Sequence, residues 1–315
     1  MKKYKFIDLF AGIGGMRLAF TDENSECVFS SEWDRFSQQT YEANFGEKPQ
    51  GDITLIPESE VPNHNILIAG FPCQPFSNIG KREGFSHKTQ GTLFFDVLRI
   101  LKEKQPESFL LENVVGLLTI QKGETFRVIQ DALLEIGYSV FYKVLDSVDF
   151  GIPQNRKRIY IVGFRNDLGI KDFDFPQGTS NKEPINKYIE WGAKGYSITK
   201  KTQENYLFKK DDGRPQIIDE SSEFPVKTLV ASYHKIQRLT GTFVRDGETG
   251  LRLLSEKECK AIMGYPQDFI VPVSRTQMYR QFGNSVAVPV VREIANCIKN
   301  TIKLNLIDKQ IELSI

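Results

Sequence analysis

Short apolar runs and amphipathic stretches take turns along the first half of the chain. Lys5 to Phe10 is an apolar run that stops at glycines, the pattern of a buried strand. Gly15 to Phe20 follows with the makings of a helix. Cys27 to Ser31 predicts a second strand, and Asp34 to Asn44 a helix opened by Asp34 or Ser37. Ile66 to Gly70 predicts a third strand. Thr92 to Lys104 sets Leu93, Phe94, Val97, Leu98 and Leu101 on one helical face. Ser108 to Glu112 then predicts a strand, Thr125 to Ile136 a helix, and Arg158 to Phe164 a further strand. This alternation predicts a doubly wound α/β sheet, which binds ligands beyond the carboxyl ends of its strands.

After about Pro176 the rhythm is lost. The stretch to about Gly250 is richer in Lys, Asp, Gly, Ser and Thr and predicts a smaller domain of short strands and loops. A helix returns at Ser255 to Met263, where Ser255 and Glu258 have capping-box spacing. Val290 to Leu304 predicts a last helix, with Pro289 just before it. The expected division is residues 1–180 with 275–315 as one domain, and 181–274 as a second domain and hinge.

The first strand runs into Asp8-Leu9-Phe10-Ala11-Gly12-Ile13-Gly14-Gly15. Its glycines allow a tight turn and a close approach to a ligand. Arg17 stands where a dinucleotide fingerprint would have its third glycine. The next strand ends at Glu32, placed where such folds put a carboxylate on ribose hydroxyls. Trp33 offers a flat face for adenine, and Asp52 can accept from an adenine amine. These features point to an adenosyl cofactor without separating it from a nicotinamide one.

Ala69-Gly70-Phe71-Pro72-Cys73-Gln74-Pro75-Phe76-Ser77 lies past a strand end, with two prolines stiffening the backbone around Cys73. Glu112-Asn113-Val114 ends another strand, and Gln154-Asn155-Arg156-Lys157-Arg158 precedes one. With Phe10 to Gly15, with Glu258-Cys259 and Met263-Gly264-Tyr265-Pro266, and with Gln281-Phe282-Gly283-Asn284-Ser285-Val286, these segments are ordered and spaced as in one family. The chain resembles the bacterial cytosine-carbon-5 DNA methyltransferases of type II restriction-modification systems. The match spans most of the chain except about residues 180 to 250.

That resemblance implies a Rossmann-like methyltransferase sheet with a smaller target-recognition domain. It implies S-adenosylmethionine as cofactor and double-stranded DNA as substrate. Cys73 would attack carbon 6 of a flipped cytosine, Glu112 hold the ring nitrogen and amine, and Arg158 reach the carbonyl. Arg156 would stand near the catalytic loop. Phe10, Gly12, Ile13, Gly14, Glu32, Trp33, Asp52, Ile53, Pro72, Leu93, Asn284 and Val286 would line the cofactor, and Asn284 would brace the turn at Phe71 to Cys73. Gln74 to about Gly91 corresponds to a catalytic loop that closes on DNA, with Gln74, Ser77, Lys81 and Arg82 touching it. Ser86 to Gly91 departs from the family pattern, which unsettles the contacts at that end. Thr228-Leu229 resembles the pair that marks the base-reading region. Around it, Lys227, Ser232, Tyr233, His234, Lys235, Gln237 and Arg238 can read base edges or grip phosphates.

Composition narrows the alternatives. The formal net charge of +1 does not by itself announce a nucleic-acid binder. The four cysteines are far apart and only three histidines occur, so neither a metal site nor a disulfide framework is expected. No apolar run approaches the ~20 residues that span a bilayer, and the basic N-terminus lacks a signal-peptide core, so a cytoplasmic monomer with a separate restriction endonuclease is expected. A tRNA cytosine methyltransferase of the same superfamily is the nearest rival. Its recognition cysteine is lacking here, because no cysteine lies between Cys73 and Cys259. A non-catalytic DNA-binding module and a nicotinamide dehydrogenase are more distant alternatives.

Overall fold

The computed structural model describes residues 3–72, 93–179 and 182–312. Six strands form the central sheet: β1 (Tyr4–Leu9), β2 (Ser25–Ser31), β3 (Ile66–Gly70), β4 (Ser108–Val114), β5 (Tyr138–Asp146) and β6 (Lys157–Arg165). Their spatial order is β2-β1-β3-β4-β6-β5. The first four are parallel, whereas β6 runs antiparallel to both β4 and β5. The α/β sheet is therefore mixed, with a hairpin at one edge. That reversal matters: it brings the start of β6 beside the carboxyl end of β4, pairing Arg158 with Val114.

Both faces of the sheet are covered. Phe6, Ile68, Leu110 and Val162 point to one side, with helices α1 (Gly15–Phe20) and the last helix packed there. Ile7, Leu67, Ala69 and Leu111 point to the other, against α3 (Phe94–Lys104) and α4 (Glu124–Glu135). The period-2 alternation thus separates two apolar layers rather than an apolar and a wet face. On β6 the position opposite Phe109 is Gly163, where a Cβ would lie 2.1 Å from the buried ring. Helix α2 (Arg35–Phe45) starts as expected, with the Asp34 carboxylate accepting from Ser37 N at 3.0 Å. β5 escaped the sequence pattern because it is a half-exposed edge strand with Lys143 in its middle.

The region from Pro184 to Leu254 holds 3₁₀ turns, a single turn α5 (Lys200–Thr202) and a two-stranded parallel pair, β7 (Gln216–Ile218) and β8 (Thr242–Val244). Its apolar residues, among them Ile198, Leu229, Tyr233 and Phe243, join the same buried cluster as α6 (Glu256–Met263), α7 (Arg275–Asn284) and α8 (Val288–Glu312). Helix α7 was not separated from its neighbours by sequence period alone. Among the described residues no helix is long and apolar enough to cross a membrane.

One ion pair fastens this region to α6. Arg252 and Glu258 are fully buried, and the guanidinium donates to both Glu258 oxygens at 2.9 and 2.8 Å. Arg252 also donates to Asp246 at 2.9 Å and to the Glu190 carbonyl at 2.9 Å. Glu258 accepts from Ser255 N at 2.6 Å, completing the capping box, and from Glu190 N at 2.8 Å. Removing one partner strands the other charge in a dry site. Glu258→Ala is expected to cost about 3–5 kcal/mol of stability, measured as a lower urea midpoint. Replacing Glu258 by leucine together with Arg252 by methionine should restore much of it.

Candidate active site

The parallel strands β1, β3 and β4 all end at one cavity of about 400 Å³. The glycine turn forms its first wall. Ala11 N donates to Ser31 O at 2.9 Å and Gly14 N to Ala11 O at 2.8 Å, which curls the chain over the end of β1. Phe10 and Gly12 take left-handed φ values of 55° and 56°. For phenylalanine this is an unusual conformation, and it turns the ring to the cavity. Glu32 is 8% exposed and accepts from Gly12 N and Asp34 N, each at 2.7 Å. Burial pushes its carboxyl up, and these backbone bonds oppose that. Trp33 beside it is 73% exposed. An indole left so open has an uncovered face at the cavity rim.

Asp8, at the floor, is buried, and both its carboxyl oxygens lack a hydrogen-bond partner among the described residues. Burial raises its carboxyl to about 8. Arg17 opposes the rise without a bond of hydrogen-bonding geometry, and Glu32 adds to it.

The opposite wall carries Glu112 and two arginines. Glu112 is 9% exposed and meets Arg158 Nε at 3.0 Å. Burial raises its carboxyl, while Arg158 and then Arg156 pull it down. Arg156 stands in the same wall. Its guanidinium is 2% exposed and donates to Leu229 O at 3.0 Å, to Gly283 O at 3.0 Å and to Ser285 O. It is a brace that joins three segments, and burial and Arg158 lower its pKa to about 10.

Nine expected cofactor residues line the cavity: Phe10, Gly12, Ile13, Glu32, Trp33, Pro72, Leu93, Asn284 and Val286. Three do not. Gly14 faces Phe45, where a Cβ would lie 2.2 Å from the ring, so its role is packing. Asp52, exposed, caps a 3₁₀ turn, its Oδ1 accepting from Thr54 N at 3.0 Å and Thr54 Oγ1 at 2.8 Å. Ile53 is buried in the core. The turn before Cys73 is braced by Asn113, whose Nδ2 donates to Phe71 O at 2.9 Å. Sequence reasoning passed over Asn113 although it stands beside Glu112. It also passed over Gln154, fully buried, which donates to Ile262 O at 2.6 Å and accepts from Leu229 N at 2.8 Å. Cys73, Gln74, Ser77, Lys81 and Arg82, with the Ser86 to Gly91 stretch, lie outside the described residues.

The base-reading candidates divide. Thr228 Oγ1 donates to Asn155 O at 2.6 Å, docking the segment beside the arginines. Leu229 and Tyr233 are buried, and the Tyr233 hydroxyl donates to Thr242 O, so both side chains are engaged within the chain. Arg238 is spent within the chain, on Asp212 and on the Leu207 and Lys210 carbonyls. Lys235 is exposed. Among the described residues no group of three or more His, Cys, Asp or Glu could hold a metal ion.

The model of the C-5 cytosine-specific DNA methylase family matches residues 4–300. Type II methyltransferase M.BsuFI of Bacillus subtilis is 65% identical over 303 residues, covering 96% of this chain and 74% of that protein. Type II methyltransferase M.MspI of Moraxella sp is 55% identical over 300 residues, covering 95% and 71%. Among solved structures, DNMT2 of Spodoptera frugiperda superposes with a TM-score of 0.76 at 23% identity, covering 95% of this chain and 99% of that one, which shows the shared fold. With the family model spanning nearly its whole length and relatives this similar, the chain belongs to the C-5 cytosine-specific DNA methylases and is a DNA cytosine-5-methyltransferase.

Proposed function

We propose that the enzyme methylates a cytosine rotated out of duplex DNA, with Cys73 as the nucleophile and S-adenosylmethionine as the donor. The observation that carries this reading is the buried Glu112–Arg158 pair at 3.0 Å, set in the wall beside the turn that leads into Cys73. Cytosine presents a ring nitrogen, an amine and a carbonyl along one edge. A protonated Glu112 donates to the ring nitrogen and accepts from the amine, and Arg158 donates to the carbonyl. Burial, which raises the Glu112 carboxyl, favours that protonated form.

The cysteine thiolate adds to carbon 6, and the ring electrons move to carbon 5, making it nucleophilic. Glu112 stabilises the charge that builds on the ring. S-adenosylmethionine supplies, when bound, an electrophilic methyl group. Removal of the carbon-5 proton by water then lets the thiolate leave. A base inside the helix cannot reach this wall, so flipping is part of the reading, at about a few kcal/mol of unstacking.

The cavity fits the donor. Two of the four lone-pair directions of Glu32 are taken by backbone N–H groups, leaving two for ribose hydroxyls. The open face of Trp33 suits adenine. Residues 1–180 with 275–315 would form the catalytic part, and 181–274 the part that reads sequence. The enzyme would act as a cytoplasmic monomer, protecting DNA from a separate restriction endonuclease.

Cys73→Ser is expected to abolish transfer of radiolabelled methyl to mixed-sequence DNA while leaving cofactor affinity by calorimetry intact. Full activity would overturn the covalent route. Duplex DNA with 5-fluorocytosine at the target should be trapped as a slow-migrating adduct, because fluorine blocks the last elimination. Two further variants separate contact from bracing. Glu112→Gln should lower transfer on the order of 10²–10⁴-fold, with a far smaller effect on the urea midpoint because the amide oxygen still accepts from Arg158. Arg156→Lys should lower transfer and the urea midpoint together, each carbonyl left without a donor costing about 1–3 kcal/mol.

Asp8 gives a pH signature. Its carboxyl titrates at about 8 when folded, against an ordinary 3.8. Between those values the unfolded chain has released the proton and the folded chain keeps it, so stability falls as pH rises through the window. Asp8→Asn should match the wild type near pH 4 and exceed it near pH 8 in urea midpoints. An equal pH dependence in both proteins would refute this.

A further inference from the structure

The polar residues after Thr228 were expected to read DNA without distinction among them. Hydrogen bonding in the structure now separates them. Gln154 and Arg156 pin Leu229 from two sides. The next peptide, Val230–Ala231, lies against Gly283, whose added Cβ would fall 2.2 Å from Ala231 N. The recognition segment therefore leaves the cavity wall at a fixed point. Its 3₁₀ turn, Tyr233–Lys235, packs on α7, with the Tyr233 and Tyr279 rings 5.0 Å apart.

From there each step is tied. Tyr233 N donates to Val230 O at 3.0 Å, Lys235 N to Ser232 O at 2.9 Å and Ile236 N to Tyr233 O at 3.1 Å. Gly241 N closes the loop onto Gln237 O at 2.8 Å. Ile236 is held at φ 54°, a costly conformation for a β-branched residue. Its side chain packs against the core, which keeps it there. Strain locked by packing makes this a rigid loop.

Gln237 follows the strained residue. Its Oε1 accepts from Thr240 Oγ1 at 2.9 Å and from Ser232 Oγ at 3.3 Å. Its Nε2 meets no acceptor among the described residues, and the residue is half-buried. Tyr233 and Arg238 are engaged within the chain, and the Lys227 amine donates to Leu239 O at 3.0 Å. Gln237 thus has both Oε1 lone pairs taken by hydroxyls of its own loop and its Nε2 donors left over. Adenine's major-groove edge asks for a donor and an acceptor together, whereas guanine offers two acceptors, N7 and O6.

We infer that Gln237 is a specificity-determining residue that reads one guanine in the major groove by donating from Nε2. The inference rests on the proposed reading of the chain as a sequence-specific DNA enzyme. Lys235, exposed two residues earlier, is charged and placed to hold a neighbouring phosphate.

The test uses the full-length enzyme on a duplex library with randomised sequence, read by bisulfite sequencing. If the wild type methylates no cytosine, the proposed function falls and this inference with it. If it does methylate, Gln237→Ala should relax the requirement for guanine at a single position by roughly ten- to a hundredfold and keep the others. At that position 7-deazaguanine, which lacks N7, should slow the wild type and leave Gln237→Ala unaffected. Gln237→Glu, nearly the same shape, guards against a folding artefact. It keeps the oxygen that the hydroxyls bind, loses the donors, and should disfavour guanine there. Cofactor affinity by calorimetry should be unchanged in both variants. Unaltered preferences, a uniform loss at every sequence, or relaxation at an adenine or cytosine would overturn the assignment. The last would mean that the amide presents its carbonyl.

Discussion

The buried guanidinium of Arg156 is the constraint on which the site depends. Among the described residues it pairs with no carboxylate; three carbonyls, from Leu229, Gly283 and Ser285, accept from its two Nη groups, and its buried Nε has no partner. Carbonyl dipoles compensate a buried charge less fully than an anion does, and the lowered pKa records that shortfall. The remaining positive field falls on Glu112 and opposes the burial that raises its carboxyl. One side chain thus fixes the backbone at Leu229 and part of the electrostatics of Glu112. Shifting any of the three carbonyls would be felt at Glu112.

Direction of strands completes the arrangement. In an all-parallel sheet, β6 would bring its carboxyl end to the cavity and carry Arg156 and Arg158 to the far side. The β5–β6 hairpin reverses β6, so the residues just before and at its start stand beside the end of β4. Glu112 and Arg158 then meet across adjacent strands, where backbone pairing fixes their separation.

Much of this was legible in the residues. Strands with clean apolar runs, such as Ile66–Gly70, and caps with definite chemistry, such as Ser255 with Glu258, were found where the pattern put them. β5 was missed because an edge strand exposes much of its length and lacks a continuous apolar run. At the site, ordered motifs singled out Glu112 and Arg158, and the fold brings the two side chains together at 3.0 Å. Sequence could not tell which way a polar side chain turns. Asp52 and Arg238 look free as letters, yet each satisfies a nearby turn or loop of its own chain. Gln154 and Asn113 look like spacers in their motifs, yet they hold the backbone that presents the others.

The packing of α8 against the first strand and helix has a consequence for synthesis. Tyr4 Oη donates to Lys299 O at 3.3 Å, and Lys299 Nζ reaches Asp22 at 2.6 Å. Asn284 and Val286 close the cavity that Phe10 and Glu32 begin. Contacts this distant in sequence form late and slowly. On the ribosome, the floor of the cavity emerges early and waits, with its apolar faces uncovered, for the segments that close it. The enzyme therefore cannot acquire activity by degrees as it is translated. Its cavity is completed only once Asn284 and Val286 have joined the walls built from Phe10 and Glu32.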